Sequence, residues 1–183
     1  MRRVRVLVAS ALALAASMAG AQGLPGYITG ETGMFNGASH DPSQVARLED
    51  CLKRTWDEGP EACLFRTREN ACFDTPDLSF EAYSQCFLVE AAGWDLLVQG
   101  YYDEALETAA EHDDGAAKQG AFAGARGMLV ASQEIFGPYR WDSCKAQWAS
   151  QAGWDNGPDR NYALCMVRLT AQRAHQLYAW GQI

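Results

Sequence analysis

Paired cysteines restrict most strongly what this chain can fold into, and the clearest pair flanks a turn in the C-terminal third. Cys144 and Cys165 lie on either side of Gly153, Gly157 and Pro158, residue types that favour turns. A disulfide between the two cysteines would close a loop of about twenty residues, worth roughly 3 kcal/mol in the chain-entropy model. The pattern predicts a helical corner stapled by a disulfide.

The first residues of the sequence have the pattern of a cleaved signal peptide. An arginine-rich start and an apolar run lead to the small-residue site Ala19-Gly20-Ala21, which is typical of signal cleavage. The apolar run is shorter than the roughly 20 residues that a membrane-spanning helix needs. We therefore expect residues 1–21 to be removed and the protein to be periplasmic or secreted, with no membrane span.

The cysteines that follow this segment are even in number, which indicates disulfides in an exported chain. Several connectivities are open to them, and we favour pairing between neighbours in the sequence. The predicted bonds, about three, are Cys51 with Cys63, Cys72 with Cys86, and Cys144 with Cys165.

Apolar residues recur at three- and four-residue steps along the rest of the chain, which predicts helices. One helix should begin at Asp41-Pro42, a short one near Pro60, and the last at Pro158. Without an alternating strand pattern, we predict an all-α fold, an antiparallel helical bundle cross-linked by the disulfides.

The longest predicted helix covers about residues 80–110 and should end in a turn at Gly115. A further helix from about Ala116 is expected to kink or break at Gly137-Pro138, before Cys144. The long helix presents one broad apolar face: Phe87, Ala91, Trp94, Val98, Tyr101, Ala105 and Leu106.

The charge of the chain is strongly acidic, with 15 Lys and Arg against 23 Asp and Glu, or −8. Three of the arginines lie in residues 1–21, so the mature charge would be 12 minus 23, or −11. Such a surface disfavours nucleic acid and favours basic partners.

Enzymatic and metal-binding motifs are weak in this sequence. The histidines are His40, His112 and His175, and no Cys-x-x-Cys pair occurs. Nucleophilic catalysis needs a histidine beside a serine or a reduced cysteine, and zinc sites need clustered ligands. We expect no catalytic activity, no cofactor and no metal site.

An ordered set of residues links the middle of the chain to its end, and its last part reads C-x3-L-T-x2-R-x3-L. The set resembles the lysozyme inhibitor LprI-like N-terminal domain family of exported bacterial helical domains, although Phe136 stands where that family usually has Trp. The residues that carry the resemblance are Cys72, Cys86, Asp95, Tyr102, Gln133, Phe136, Tyr139-Arg140, Cys144, Cys165, Leu169-Thr170, Arg173 and Leu177.

The resemblance also implies a division of the chain. Residues 72–183 would form the LprI-like helical domain. Residues 41–71 would be an N-terminal helical extension packed with that domain as one unit, and the glycine-rich residues 22–40 would be a flexible leader.

Two of the matching arginines are expected to be structural rather than ligand-binding. Arg173 shares a helix face with Leu169 and Leu177, so it should be partly buried and need an acidic partner. Asp95 on the long helix is the predicted partner. Arg140 is expected to cap or bridge the helix that ends near Cys144.

Two functions from different classes are open. The resemblance implies an inhibitor of lysozyme or a related cell-wall hydrolase, which as a basic protein would be attracted to an acidic domain. The alternative is a non-catalytic envelope structural or assembly factor that binds another exported protein, and the oligomeric state is open in both. The candidate contact residues are Glu111, Asp113, Asp114, Trp154 and Asp155.

Overall fold

The computed structural model describes residues 42–64, 80–150 and 158–182. Throughout these ranges the fold is helical and contains no strand, which confirms the predicted all-α class for this part of the chain. Within the same ranges, no helix is both long and apolar enough to cross a membrane. The helices are α1 (Pro42–Arg54), α2 (Phe80–Lys118), α3 (Ala125–Ser150) and α4 (Pro158–Trp180), with short 3₁₀ helices at Trp56–Glu58 and Pro60–Cys63.

Helix α3 runs opposite to α2. Asp113, near the end of α2, bonds the backbone of Ala125 at the start of α3. Asp95, more than four turns earlier in α2, bonds Arg140 in the second half of α3. The short connection between the two helices enforces this reversal.

Helix α4 runs opposite to α3 in turn. Arg173 of α4 bonds Gln133 of α3, whereas the earlier residue Cys165 is joined to the later residue Cys144. Helices α2 and α4 therefore run in the same direction.

Helix α1 runs in the same direction as α2. A side chain at Gly93 would place its Cβ 3.0 Å from Leu48 Cδ1, so α1 approaches α2 closely there. Further along, Trp56, which follows α1, contacts Tyr178, and Tyr178 contacts Tyr101 of α2. Three of the four described α-helices thus share a direction and only α3 opposes them, so the predicted antiparallel bundle is not confirmed.

The core lies between α2 and α4 and is closed on one side by α1. The predicted apolar face of α2 is confirmed from Phe87 to Ala105, while Leu106 is only partly buried. The large side chains that are fully buried with it include Leu48, Leu52, Trp94, Val98, Met166, Val167 and Leu177.

Two of the predicted disulfides lie wholly within the described residues. Cys51 is bonded to Cys63 with 5.8 Å between their Cα atoms, and Cys144 to Cys165 with 5.5 Å. Cys86 is also disulfide-bonded. Cys72 lies outside the described residues, so the pairing of Cys72 with Cys86 stays a prediction.

The predicted boundaries between α2 and α3 were wrong. Helix α2 continues through Gly115 to Lys118, because a single glycine costs a long helix only about 1 kcal/mol. The true stop is Gly120, whose φ of 67° suits glycine. There the N–H of Ala121 bonds the Ala116 carbonyl and the N–H of Gly120 bonds the Ala117 carbonyl, which is the Schellman ending of a helix.

Helix α3 is not interrupted at Gly137-Pro138, where a break was one of the two expected outcomes. It runs without a break from Ala125 to Ser150, with Pro138 inside it. Proline removes one helical N–H and crowds the preceding turn. Contacts on both sides of Pro138, at Gln133 and Arg140, nevertheless hold the helix against α4.

Asp113 caps the start of α3 from the neighbouring helix. Its Oδ1 accepts the N–H groups of Gly124 and Ala125 at 2.8 Å each, and its Oδ2 accepts the N–H of Arg126 at 3.1 Å. These donors have no carbonyl partner within a helix, so the cap stabilises α3. The three bonds, led by that from Arg126, lower the pKa of Asp113.

We predict that Asp113→Ala lowers the melting temperature by a few degrees at neutral pH. Asp114→Ala, which removes the same charge from an exposed neighbour, should have little effect. Because the pKa of Asp113 in the folded protein lies below the ordinary value of 3.8, its contribution is present above that pH and is lost as the pH falls through the folded pKa. Thermal unfolding followed by circular dichroism at pH 7 and pH 3 measures this, and equal effects of the two variants would contradict the cap.

Candidate functional site

A buried hydrogen-bond network joins three helices. Arg140 of α3 donates from Nη1 to Asp95 Oδ1 of α2 at 2.6 Å and to Thr170 Oγ1 of α4 at 2.7 Å. The Thr170 hydroxyl in turn donates to the Met166 carbonyl at 2.6 Å. The Asp95 and Arg140 side chains are only 1% and 3% exposed, so this network fixes the helices relative to one another and does not reach solvent.

Electrostatics inside the network are dominated by burial. Removal from water raises the pKa of Asp95 to about 6, because desolvation outweighs the attraction of the Arg140 guanidinium. The Asp95 carboxylate pairs with the Arg140 guanidinium at 2.6 Å. A buried ion pair of this kind stabilises the fold only while both partners are present.

The predicted pairing of Asp95 with Arg173 was wrong. Arg173 donates from Nε to Gln133 Oε1 and from Nη2 to Ser132 Oγ, both at 2.8 Å. Thr170 lies at the level of Asp95, and Arg173 lies three residues, or about 4.5 Å, further along α4. Arg140 reaches Asp95 instead. It bridges α3 to α2 and α4 and does not cap a helix, and α3 continues past Cys144 to Ser150.

Phe136 lies between the two arginine sites. The guanidinium carbons of Arg140 and Arg173 are each 5.6 Å from the centre of its ring. An aromatic ring attracts cations over its face, so one side chain stabilises both guanidinium groups. This arrangement explains why an aromatic residue at position 136 suits the fold, whether it is Phe or the larger Trp.

Several of the residues that carry the resemblance therefore meet in one seam of the molecule. Gln133, Phe136 and Arg140 repeat at three- and four-residue steps along α3, so they share one face of that helix. That face lies against Thr170 and Arg173 of α4. The helical spacing from Gln133 to Arg140 was visible in the sequence. The sequence did not show which residues along α2 this face would contact.

The predicted contact residues divide into three groups. Glu111 and Asp114 are exposed on α2, although in a helix rather than in the expected loop. Asp113 is occupied by capping α3, which makes it a structural residue. Trp154 and Asp155 lie outside the described residues.

The exposed side of the second half of α2 is acidic. Asp103, Glu107, Glu111 and Asp114 recur at three- and four-residue steps and are all exposed, so they form a stripe along the helix. We call these four residues the acidic stripe. From Asp103 to Ala117 the helix sequence contains no lysine or arginine, so no cation of this segment of α2 opposes the stripe.

The N-terminal helical region is fastened to α4 by aromatic contacts that the sequence did not suggest. Trp56 stacks on His175 with 4.0 Å between ring centres, and its carbonyl oxygen lies 3.1 Å from His175 Nε2. Tyr178 meets the same tryptophan edge-on at 5.3 Å. Nearby, Gln172 donates to the Glu61 carboxylate at 3.1 Å.

Metal ligands are not gathered in the described part of the chain. His112 Nδ1 lies 3.8 Å from Asp113 Oδ1, but that oxygen is already bonded to the start of α3. No group of three or more His, Cys, Asp or Glu side chains in residues 42–64, 80–150 and 158–182 is placed to hold a metal ion.

We predict that Asp95→Asn lowers the free energy of unfolding by about 3–5 kcal/mol, because it leaves the Arg140 guanidinium buried without its counter-charge. The double variant Asp95→Leu/Arg140→Met should recover much of this loss, since no charge stays buried. Arg173→Met is the control and should cost less, because its guanidinium is only half-buried. Urea unfolding measures all three, and equal losses for Asp95→Asn and Arg173→Met would contradict the assigned pairing.

Comparison with known proteins assigns the part of the chain that contains this seam to a family. Residues 77–177 match a family model described as lysozyme inhibitor LprI, which confirms the resemblance. The matched residues contain all of α2 and α3 and most of α4, with the whole buried network. No curated protein and no solved structure matches the chain. Because the match covers more than half of the sequence, the chain belongs to the lysozyme inhibitor LprI family.

Proposed function

We propose that this protein is an exported binding protein, periplasmic or secreted, that inhibits lysozyme or a related cell-wall hydrolase without catalysing a reaction. The observation that carries the proposal is the family match over residues 77–177. The surface charge and the rigidity of the fold support it independently.

Charge favours a basic partner. The chain has a net charge of −8, and the acidic stripe concentrates carboxylates on one side of α2. Common lysozymes are basic, so opposite charges would speed their encounter with this surface. Contact close to the substrate cleft would then exclude the cell wall from a site whose chemistry depends on two carboxylates.

Rigidity favours inhibition by a preformed surface. The Cys144–Cys165 disulfide and the Asp95–Arg140–Thr170 network both hold α3 in place against its neighbours. A surface that is already ordered loses little conformational entropy on binding, which leaves more of the interaction energy for affinity.

We expect the purified oxidised protein to slow the lysis of bacterial cell walls by hen-type lysozyme. The effect should weaken as salt is raised from low to moderate concentration, because salt screens the charges that steer association. Turbidity loss of a cell-wall suspension at fixed lysozyme concentration measures it. Unchanged lysis at a large molar excess of this protein would exclude this lysozyme as the target.

A matched pair of variants distinguishes attraction of the partner by the acidic stripe from attraction by the net charge of the protein. Glu107→Gln/Glu111→Gln should reduce the rate of association with lysozyme several-fold. Asp57→Asn/Glu58→Gln removes the same charge from exposed positions outside the family match and should have a smaller effect. Equal effects would mean that net charge alone steers the encounter.

The second candidate is a non-catalytic envelope structural or assembly factor that binds another exported protein. An exposed apolar face on α3 favours it, because such a face suits many protein partners. This candidate would lead if lysis were unchanged while the protein still formed a stoichiometric complex with an exported protein that is not a hydrolase.

A further inference from the structure

We infer that the outward face of α3 is the surface with which this protein holds its basic hydrolase partner. This inference rests on the proposed function and adds the contact surface to it. The α3 face is defined by Met128, Ile135 and Tyr139.

The α3 face is apolar and open to solvent. Met128, Ile135 and Tyr139 are 57%, 66% and 55% exposed. Their spacing of seven and four residues aligns them along one side of the helix. Leu129 and Arg140, which α3 buries, directly follow Met128 and Tyr139 and so lie about 100° from them around the helix axis. The α3 face therefore flanks the buried side of the helix.

The α3 face differs from scattered apolar residues on a protein surface because its apolar side chains are aligned. Single exposed apolar side chains are common on proteins, whereas aligned ones mark sites of interaction. The stretch from Met128 to Tyr139 contains a single charged residue, Glu134. Other residues on the same side are small, such as Ala131 and Ala146, and both are exposed. The surface can therefore lie flat against a partner.

Charge around the face selects a basic partner over a second copy of this chain. Asp142 is exposed beside the apolar residues, and two chains of charge −8 would repel each other. The nearby cation Lys145 lies over the Trp141 ring, 4.3 Å from its centre, which draws its side chain away from the α3 face. A partner with cationic groups around an apolar patch fits this arrangement.

The acidic stripe and the α3 face lie on neighbouring helices that meet at one corner. Asp113, which precedes the last residue of the stripe, bonds the N–H of Ala125 at the start of α3. The end of the stripe therefore lies near the first turn of α3, three residues before Met128. Steering by α2 and holding by α3 would then act on the same partner.

The test compares the wild type with Ile135→Ser/Tyr139→Ser in binding to hen-type lysozyme and in the lysis assay. Both substituted residues are exposed, so the variant should keep the helical content and melting temperature of the wild type. We expect its Kd to rise at least about tenfold, because buried aromatic anchors carry much of the energy of an interface. Trp148→Ser is the control, since it removes an exposed aromatic side chain from the opposite side of α3, and it should bind like the wild type.

Three outcomes would overturn the inference. Equal lysozyme binding by the wild type and Ile135→Ser/Tyr139→Ser would remove the α3 face from the interface and leave the proposed function standing. A dimer in sedimentation that this variant abolishes, with lysozyme affinity unchanged, would assign the face to self-association. No binding by the wild type would overturn the inference together with the proposed function.

A second substitution guards against a folding defect in the double variant. Tyr139→Ser alone should raise the Kd in the same direction by a smaller factor while the circular dichroism spectrum stays that of the wild type. A rise in Kd that appears only together with a lower melting temperature would overturn the inference.

Discussion

The ion pair between Asp95 and Arg140 is the interaction on which the arrangement of α2, α3 and α4 depends. Each of these helices contributes one side chain to it, because Thr170 accepts a second bond from the same Arg140 nitrogen. The pair lies almost completely out of water, so a shift of any one helix by a turn would leave a buried charge uncompensated. A requirement of this kind selects one packing of the three helices over others with a similar hydrophobic content.

The corner between α2 and α3 makes this pairing geometrically accessible. Gly120 ends α2 sharply, and Asp113 then holds the first turn of α3 beside the last turns of α2. The two helices can only run in opposite directions from such a corner. Arg140, about four turns into α3, is thereby brought back to the level of Asp95.

Much of the helical content was predictable from local patterns, because apolar periodicity reports which side of a helix is buried. The face of α2 from Phe87 to Ala105 and the helix starts at Pro42 and Pro158 were found in this way. The ends of helices were harder to predict. Gly115 looked like the end of α2, and only the bonds of Asp113 to the first residues of α3 make clear why α2 continues past it. The ion pair was assigned to the wrong arginine. Sequence spacing shows on which side of its helix a residue lies, but it does not show which residue of a neighbouring helix that side chain will contact.

The acidic stripe and the α3 face also differ in how far the sequence revealed them. The acidic residues of α2 were visible as a charge pattern, although Glu111 and Asp114 lay beyond the predicted end of the helix. The sequence did not show which side Ile135 would face, and the position of Arg140 and Gln133 against α4 turns Ile135 outward. The residues proposed to hold a partner are therefore those that the internal polar contacts leave outside.

The stack of Trp56 on His175 shows that the family boundary is not a boundary of the folded unit. Trp56, Leu48 and Leu52 precede the matched residues, yet they cover α2 and α4, and Tyr178 lies just beyond the match. A fragment cut at positions 77 and 177 would uncover the apolar flank where α1 now lies. Such a fragment would be prone to aggregate.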